Sequence, residues 1–176
     1  MKHELIFSGI GGQGVLLSGQ ILCSAAVKQG HLVTWAPVYG QEKRGGRTMC
    51  QIVISDEIGS PVVSEAEILM VMDEGSLKDY EHQIAPGGYL IMNSSMITAE
   101  PKRKDIKVIK VPLNDIAKRV GNTKTINMVA LGSVLRYFDL ISLEVIKQQI
   151  TETFAEKPGI IEINQKAVQA GFDFKT

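Results

Sequence analysis

The segment Gly9-Ile10-Gly11-Gly12-Gln13-Gly14-Val15 follows directly on the apolar run Leu5-Ile6-Phe7. A buried strand that turns through glycines into a helix is the opening unit of an open α/β sheet, and Gly9, Gly11 and Gly14 have the GxGxxG spacing of that turn. The turn sets backbone N–H groups at a helix amino terminus, where an anion is favoured. In dinucleotide-binding versions an Asp or Glu lies about 20 residues further on, at the tip of the second strand, and accepts from a ribose hydroxyl. Here that tip reads Val33-Thr34-Trp35-Ala36-Pro37, and the next acid is Glu42. The pattern therefore predicts a Rossmann-like fold and argues against a bound dinucleotide.

The rest of the chain continues the alternation. The first strand is expected over Glu4 to Ser8, a helix from Gly12 to Gln29, and a second strand over His31 to Trp35. Ala36 to Arg47 has no helical stripe and reads as a loop; Thr48 to Ser55 alternates as a strand, and Val62-Val63 is expected to pair back as a short hairpin after the Gly59-Ser60-Pro61 turn. Glu67 to Met72 is almost wholly apolar, as in a central parallel strand covered on both faces. A helix over Gly75 to Ile84, a turn at Pro86-Gly87-Gly88 and strands at Tyr89 to Met92 and Lys107 to Val111 follow. A helix opens at Pro112-Leu113 and runs to Val120. Met128, Leu131, Leu135 and Phe138 mark another helix face, with two further helices near Leu143 to Phe154 and Ile161 to Ala170. The expected fold is a single-domain, three-layer α/β sandwich over residues 1–176 with a mostly parallel sheet.

Composition removes several function classes. Nineteen basic residues balance nineteen acidic ones, so no global field draws the chain to nucleic acid or an anionic membrane. No signal-peptide pattern or membrane-spanning run is present, which makes the cytoplasm the expected compartment. The basic run Lys102-Arg103-Lys104, with Lys107 and Lys110, lacks aromatic neighbours for base stacking and reads as solvated. Cys23 and Cys50 read as small buried hydrophobes, and with no CxxC and three scattered histidines the chain alone has no ligand set for an iron–sulfur cluster or Cys-rich zinc site. No phosphate loop, nucleophile elbow or HExxH stands in the sequence.

The candidate site residues fall in four places. Gly11, Gly12, Gln13 and Gly14 can present backbone donors and an amide to a phosphate or carboxylate. Glu42, Arg44, Gly45 and Gly46 lie in a loop where Arg44 and Arg47 flank two glycines, so guanidinium forks and bare backbone donors can meet one oxyanion. Asp73 ends a buried strand at the sheet edge where ligands of open α/β folds gather. Asn127 begins a helix after Thr125-Ile126, either as its N-cap or as a ligand contact.

Read in order, GIGGQGV (Gly9 to Val15), YGQEKRGG (Tyr39 to Gly46), SPVVSEAEILMVMD (Ser60 to Asp73), PGGYLIMNSS (Pro86 to Ser95), NMVALGSV (Asn127 to Val134) and the tail IIEINQKAVQAGF resemble the gamma subunit, or gamma domain, of the 2-oxoacid:ferredoxin oxidoreductases. The resemblance covers nearly the whole chain and is nearest to the 2-oxoglutarate type. It departs at Val38, where family members often carry Ser, and at Lys43, where they carry an apolar residue. It implies a subunit of an oxidoreductase that decarboxylates a 2-oxoacid to acyl-coenzyme A and reduces ferredoxin. Thiamine diphosphate, magnesium and iron–sulfur clusters would then sit in partner alpha and beta subunits, with a ferredoxin-like delta subunit as a further candidate, and none on this chain. The resemblance also directs the glycine turn and the Glu42 to Gly46 loop to the shared active site or the coenzyme A entrance, with Arg44 as the anion contact and Glu42 orienting it. Two alternatives stand beside it: a capping subunit with a purely structural role, and a free-standing nucleotide-binding protein.

Overall fold

The computed structural model describes residues 1–40, 45–57 and 59–176. Six strands form one sheet: β1 (Lys2–Ile10), β2 (Leu32–Tyr39), β3 (Arg47–Ser55), β4 (Ala66–Val71), β5 (Ile84–Asn93) and β6 (Lys107–Val111), in the order β2-β3-β1-β4-β5-β6. The pairings β1/β4, β4/β5 and β5/β6 are parallel, whereas β3 runs antiparallel to both β1 and β2. Six α-helices accompany them: α1 (Val15–Lys28), α2 (Glu74–Tyr80), α3 (Leu113–Val120), α4 (Ile126–Leu135), α5 (Leu143–Thr153) and α6 (Ile161–Asp173).

Strand alternation divides the core in two. Leu5 and Phe7 of β1, Ile52 of β3 and Met70 of β4 face a core shared with α1, α3, α4, α5 and α6. Ile6, Val53, Leu69 and Leu90 face the opposite side, beneath Leu77 of α2 and Ile97. This is the expected three-layer sandwich, with its helices distributed unequally between the two faces.

The structure corrects four expected boundaries. The loop expected from Ala36 is strand as far as Tyr39, and β2 and β3 form a hairpin rather than separate segments. Pro37 fits because β2 lies at the sheet edge; the Gly40 N–H donates inward to the Arg47 carbonyl at 2.6 Å, so alternation turns the nitrogen of Pro37 to the open side. Val62-Val63 does not return to β3, since β1 and β2 already occupy both edges of that strand; instead the Val63 N–H donates to the Gln51 amide oxygen at 2.9 Å. Pro86-Gly87-Gly88 lies within β5, where a shift of register between Ala66 and Ile68 absorbs the extra residues. Finally, α1 begins at Val15 rather than Gly12, because Gly14 takes φ 75°, a left-handed conformation that caps the helix and cannot belong to it.

The helical layer is drawn together where α4 meets α6. A Cβ on Gly132 would stand 2.0 Å from the Val168 carbonyl oxygen, and one on Gly171 would stand 1.9 Å from that of Val129. The Ser133 hydroxyl donates to the Val129 carbonyl at 3.0 Å and lies 3.4 Å from the Gly171 carbonyl across this contact. This packing fixes α4, and α4 carries Asn127 to the end of the sheet.

Candidate functional site

β1 continues into α1 on one face of the sheet, while its parallel neighbour β4 continues into α2 on the other. The chain therefore parts in opposite directions at the carboxyl ends of β1 and β4, which is where open α/β folds form a ligand crevice. The glycine turn borders this point. Gln13 folds back so that its Oε1 accepts from the Ile10 N–H at 2.7 Å, and the Gln13 N–H donates to the Ile10 carbonyl at 3.1 Å. The backbone donor at Ile10 fixes which end of the amide is oxygen, and Nε2 donates to no described residue. Gly9 permits this fold-back, since a Cβ there would lie 2.6 Å from Gln13 Oε1.

The glycine turn meets the described end of the second loop. The Gly11 N–H donates to the Gly46 carbonyl at 2.9 Å, which ties the turn to the start of β3. That donor is used internally; the N–H groups of Gly12 and Gly14 form no hydrogen bond to a described residue. Gly45 has φ 67°, consistent with a glycine requirement at this bend. Glu42 and Arg44 lie outside the described residues.

Asn127 belongs to the site's frame. It is the second residue of α4, not its cap, and its Nδ2 donates to the Gly14 carbonyl at 3.2 Å. A side chain at position 14 would collide with it, at 2.5 Å from Nδ2. Asp73 is buried and caps α2, accepting from the N–H groups of Gly75 and Ser76 at 3.0 and 3.4 Å and from the Ser76 hydroxyl. Ser76 in turn accepts from the Ser8 hydroxyl at 2.8 Å, so β1, β4 and α2 share one buried polar chain.

Three features escape sequence reasoning because they depend on long-range contacts. Arg47 reaches from β3 to the Asp79 carboxylate, with Nη2 4.0 Å from Asp73. Asn93 is wholly buried at the end of β5: its Nδ2 donates to the Met72 carbonyl at 3.3 Å and to Asn114 at 2.8 Å, while its Oδ1 accepts from Ser95 and Leu113. Lys102, Lys104, Lys107 and Lys110 of the basic run are exposed, as expected; Arg103 is half-buried, paired to Asp105 and donating to the Ile84 carbonyl.

Cys23 and Cys50 are free, buried thiols, as expected. Burial pushes both up to about 12; the proximity of Cys50 adds to the rise at Cys23, and the Trp35 indole and the backbone of Phe7 partly offset it at Cys50. Neither is a nucleophile at neutral pH. Among the described residues no helix is long and apolar enough to cross a membrane.

Among the described residues, this is an open α/β sheet with a glycine turn at its switch point and no carboxylate along β2. Comparison with known proteins narrows it. The family model described as pyruvate ferredoxin/flavodoxin oxidoreductase matches residues 4–174, and the chain belongs to that family. Ketoisovalerate oxidoreductase subunit VorA of Methanothermobacter thermautotrophicus is 36% identical over 95% of this chain, which spans only 35% of that protein's length. The 2-oxoglutarate synthase subunit KorC of the same organism is 32% identical over 97% of this chain and 94% of its own. Among solved structures, the gamma subunit of a keto/oxoacid ferredoxin oxidoreductase from Geobacter sulfurreducens superposes with a TM-score of 0.84, at 28% identity, covering 97% and 96% of the two chains. The resemblance to gamma subunits read from the sequence is borne out.

Proposed function

We propose that this chain serves as the gamma subunit of a multi-subunit 2-oxoacid:ferredoxin oxidoreductase and that its glycine turn borders the coenzyme A entrance. The observation that carries this reading is the Gln13 amide, its oxygen held by the Ile10 N–H, beside the N–H groups of Gly12 and Gly14 at the switch point, where among the described residues neither Gln13 Nε2 nor these two N–H groups has a partner. These are donors without a positive side chain among them, suited to a phosphate or amide oxygen rather than to chemistry on carbon. In this assignment thiamine diphosphate supplies the carbanion chemistry and iron–sulfur clusters the electron path, both in alpha and beta subunits. This chain contributes binding and shape.

Coenzyme A is favoured over the oxoacid as the ligand because the relatives bear the names of different oxoacids, 3-methyl-2-oxobutanoate (ketoisovalerate) and 2-oxoglutarate, across the same fold. A shared domain fits a shared co-substrate. For the oxoacid itself we propose 2-oxoglutarate, supported by the end-to-end match to KorC. In the complex reconstituted with its sister subunits, Gln13→Ala removes a hydrogen bond to a charged group, for which the typical loss is ~1.5–3 kcal/mol. The KM for coenzyme A rises about tenfold or more while that for the oxoacid stays within about twofold. An unchanged KM for coenzyme A overturns the placement of the turn.

A further inference from the structure

We propose that Arg47 is a positioning residue that braces the glycine turn against α2 across the switch point. This rests on the assignment of the turn as a ligand-facing element.

The guanidinium stands in a place made for it. Gly75, in the first turn of α2, has no side chain, and a Cβ there would lie 2.0 Å from Arg47 Nη2 and 3.0 Å from Cζ. Nη1 pairs with Asp79, one helical turn further along α2, and Nη2 lies 4.0 Å from the Asp73 carboxylate, which Ser76 and Gly75 already hold in place. Arg47 Nε is buried with no partner among the described residues, so the side chain is held by its two ends rather than by its middle. At the backbone, Arg47 follows Gly46, whose carbonyl accepts from Gly11, and its own carbonyl accepts from Gly40.

Arg47 thus joins the end of β2, β3 and α2 directly, and the glycine turn through its neighbour Gly46. The strand order puts β1 between β3 and β4, so no backbone pairing links β3 to the β4–α2 junction. Arg47 supplies that link through its side chain. A forked cation paired at one end and lodged in a glycine notch resists displacement in two directions, which a lysine ammonium cannot do. The acidic neighbours also neutralise Arg47, so its role is mechanical and the ligand's donors come from the turn.

Amide hydrogen exchange on the full chain tests the brace directly. In Arg47→Ala the Gly11 N–H exchanges about tenfold faster or more, while the buried β1 amide of Leu5 is unchanged, because the opening is local. Gly75→Ala, which keeps every charge and fills the notch, reproduces the effect. Unchanged exchange at Gly11, or equal acceleration at Gly11 and Leu5, overturns the proposal. In the reconstituted complex Arg47→Ala raises the KM for coenzyme A with little change in kcat. If Gln13→Ala raises that KM and Arg47→Ala moves neither KM nor exchange, the brace alone is wrong. If Gln13→Ala leaves KM unchanged, the ligand assignment is wrong and the Gly11 exchange still decides the brace.

Discussion

Gly171→Ala should unfold this protein earlier, even though alanine is the better helix former. The substitution improves intrinsic helix propensity by about 1 kcal/mol. Against this, the new Cβ would lie 1.9 Å from the Val129 carbonyl oxygen and 2.8 Å from its carbonyl carbon. A relaxed carbon-to-oxygen contact is about 3.3 Å or more, so α4 and α6 must part by more than about 1 Å. Both partners are helix backbone, which cannot swing aside as a flexible side chain does. The overpacking cost therefore belongs near the upper end of the usual range of ~1–3 kcal/mol. Subtracting the propensity gain leaves about 2 kcal/mol, or a fall in Tm of roughly 4–8 °C for a domain of this size. Gly159→Ala provides the control: it has open space around its Cβ position and no left-handed backbone, so its effect stays within about 0.5 kcal/mol. Thermal unfolding followed by circular dichroism measures both. A Tm for Gly171→Ala equal to or above the parent would refute the claim that backbone contact, not glycine flexibility, explains this residue.

Three further outcomes follow from the structure. Asn93→Ala leaves the buried Met72 carbonyl and Leu113 N–H, and the half-buried Ser95 and Asn114, without their partner and should cost about 2–4 kcal/mol, read as a lower urea midpoint with an unchanged slope. The cysteine thiols, pushed up to about 12 by burial, stay protonated in the folded chain while an unfolded chain ionises near 9. The unfolded state then binds fewer protons, so stability is fully present below about pH 9 and falls between about pH 9 and 12, by up to ~1.4 kcal/mol per pH unit for each thiol. Native protein at pH 7 should resist iodoacetamide, and Cys23→Ala with Cys50→Ala should flatten the alkaline slope. Arg44→Ala tests the anion contact expected from sequence: the KM for one substrate of the complex should rise, and unchanged kinetics would remove Arg44 from the site.

Local pattern was enough for much of this architecture and failed where pairing is a tertiary decision. The apolar run ending at Met72 and the periodic faces of α4, α5 and α6 announce their elements because burial on both faces or on one stripe leaves a period in the sequence. Nothing local says that β3 inserts antiparallel between β1 and β2. That insertion lengthens β2, excludes Val62-Val63 from the sheet and separates the second strand from the glycine turn. It also gives a geometric reason for the missing ribose carboxylate, since the tip of β2 lies two strands from β1 instead of beside it. The site was legible as a set of glycines and polar residues near one sheet edge. The partner of Asn127 was not, because it is chosen by distance in space: Asn127 and Gly14 stand 113 residues apart, whereas Gln13 and Asp73 bond to near neighbours along the chain. Arg47 was visible as one of two arginines flanking Gly45-Gly46, yet only the empty notch at Gly75 shows where its guanidinium goes.

The gamma-subunit assignment places this chain inside a larger oxidoreductase. Purification of the tagged chain from its native host, followed by a viologen-reduction assay dependent on a 2-oxoacid and coenzyme A, tests it most directly. A gamma subunit should bring down brown, thiamine-containing partner subunits, with dye reduction that requires coenzyme A and responds to 2-oxoglutarate. A colourless, inactive chain recovered alone that binds a nicotinamide or flavin nucleotide would contradict it.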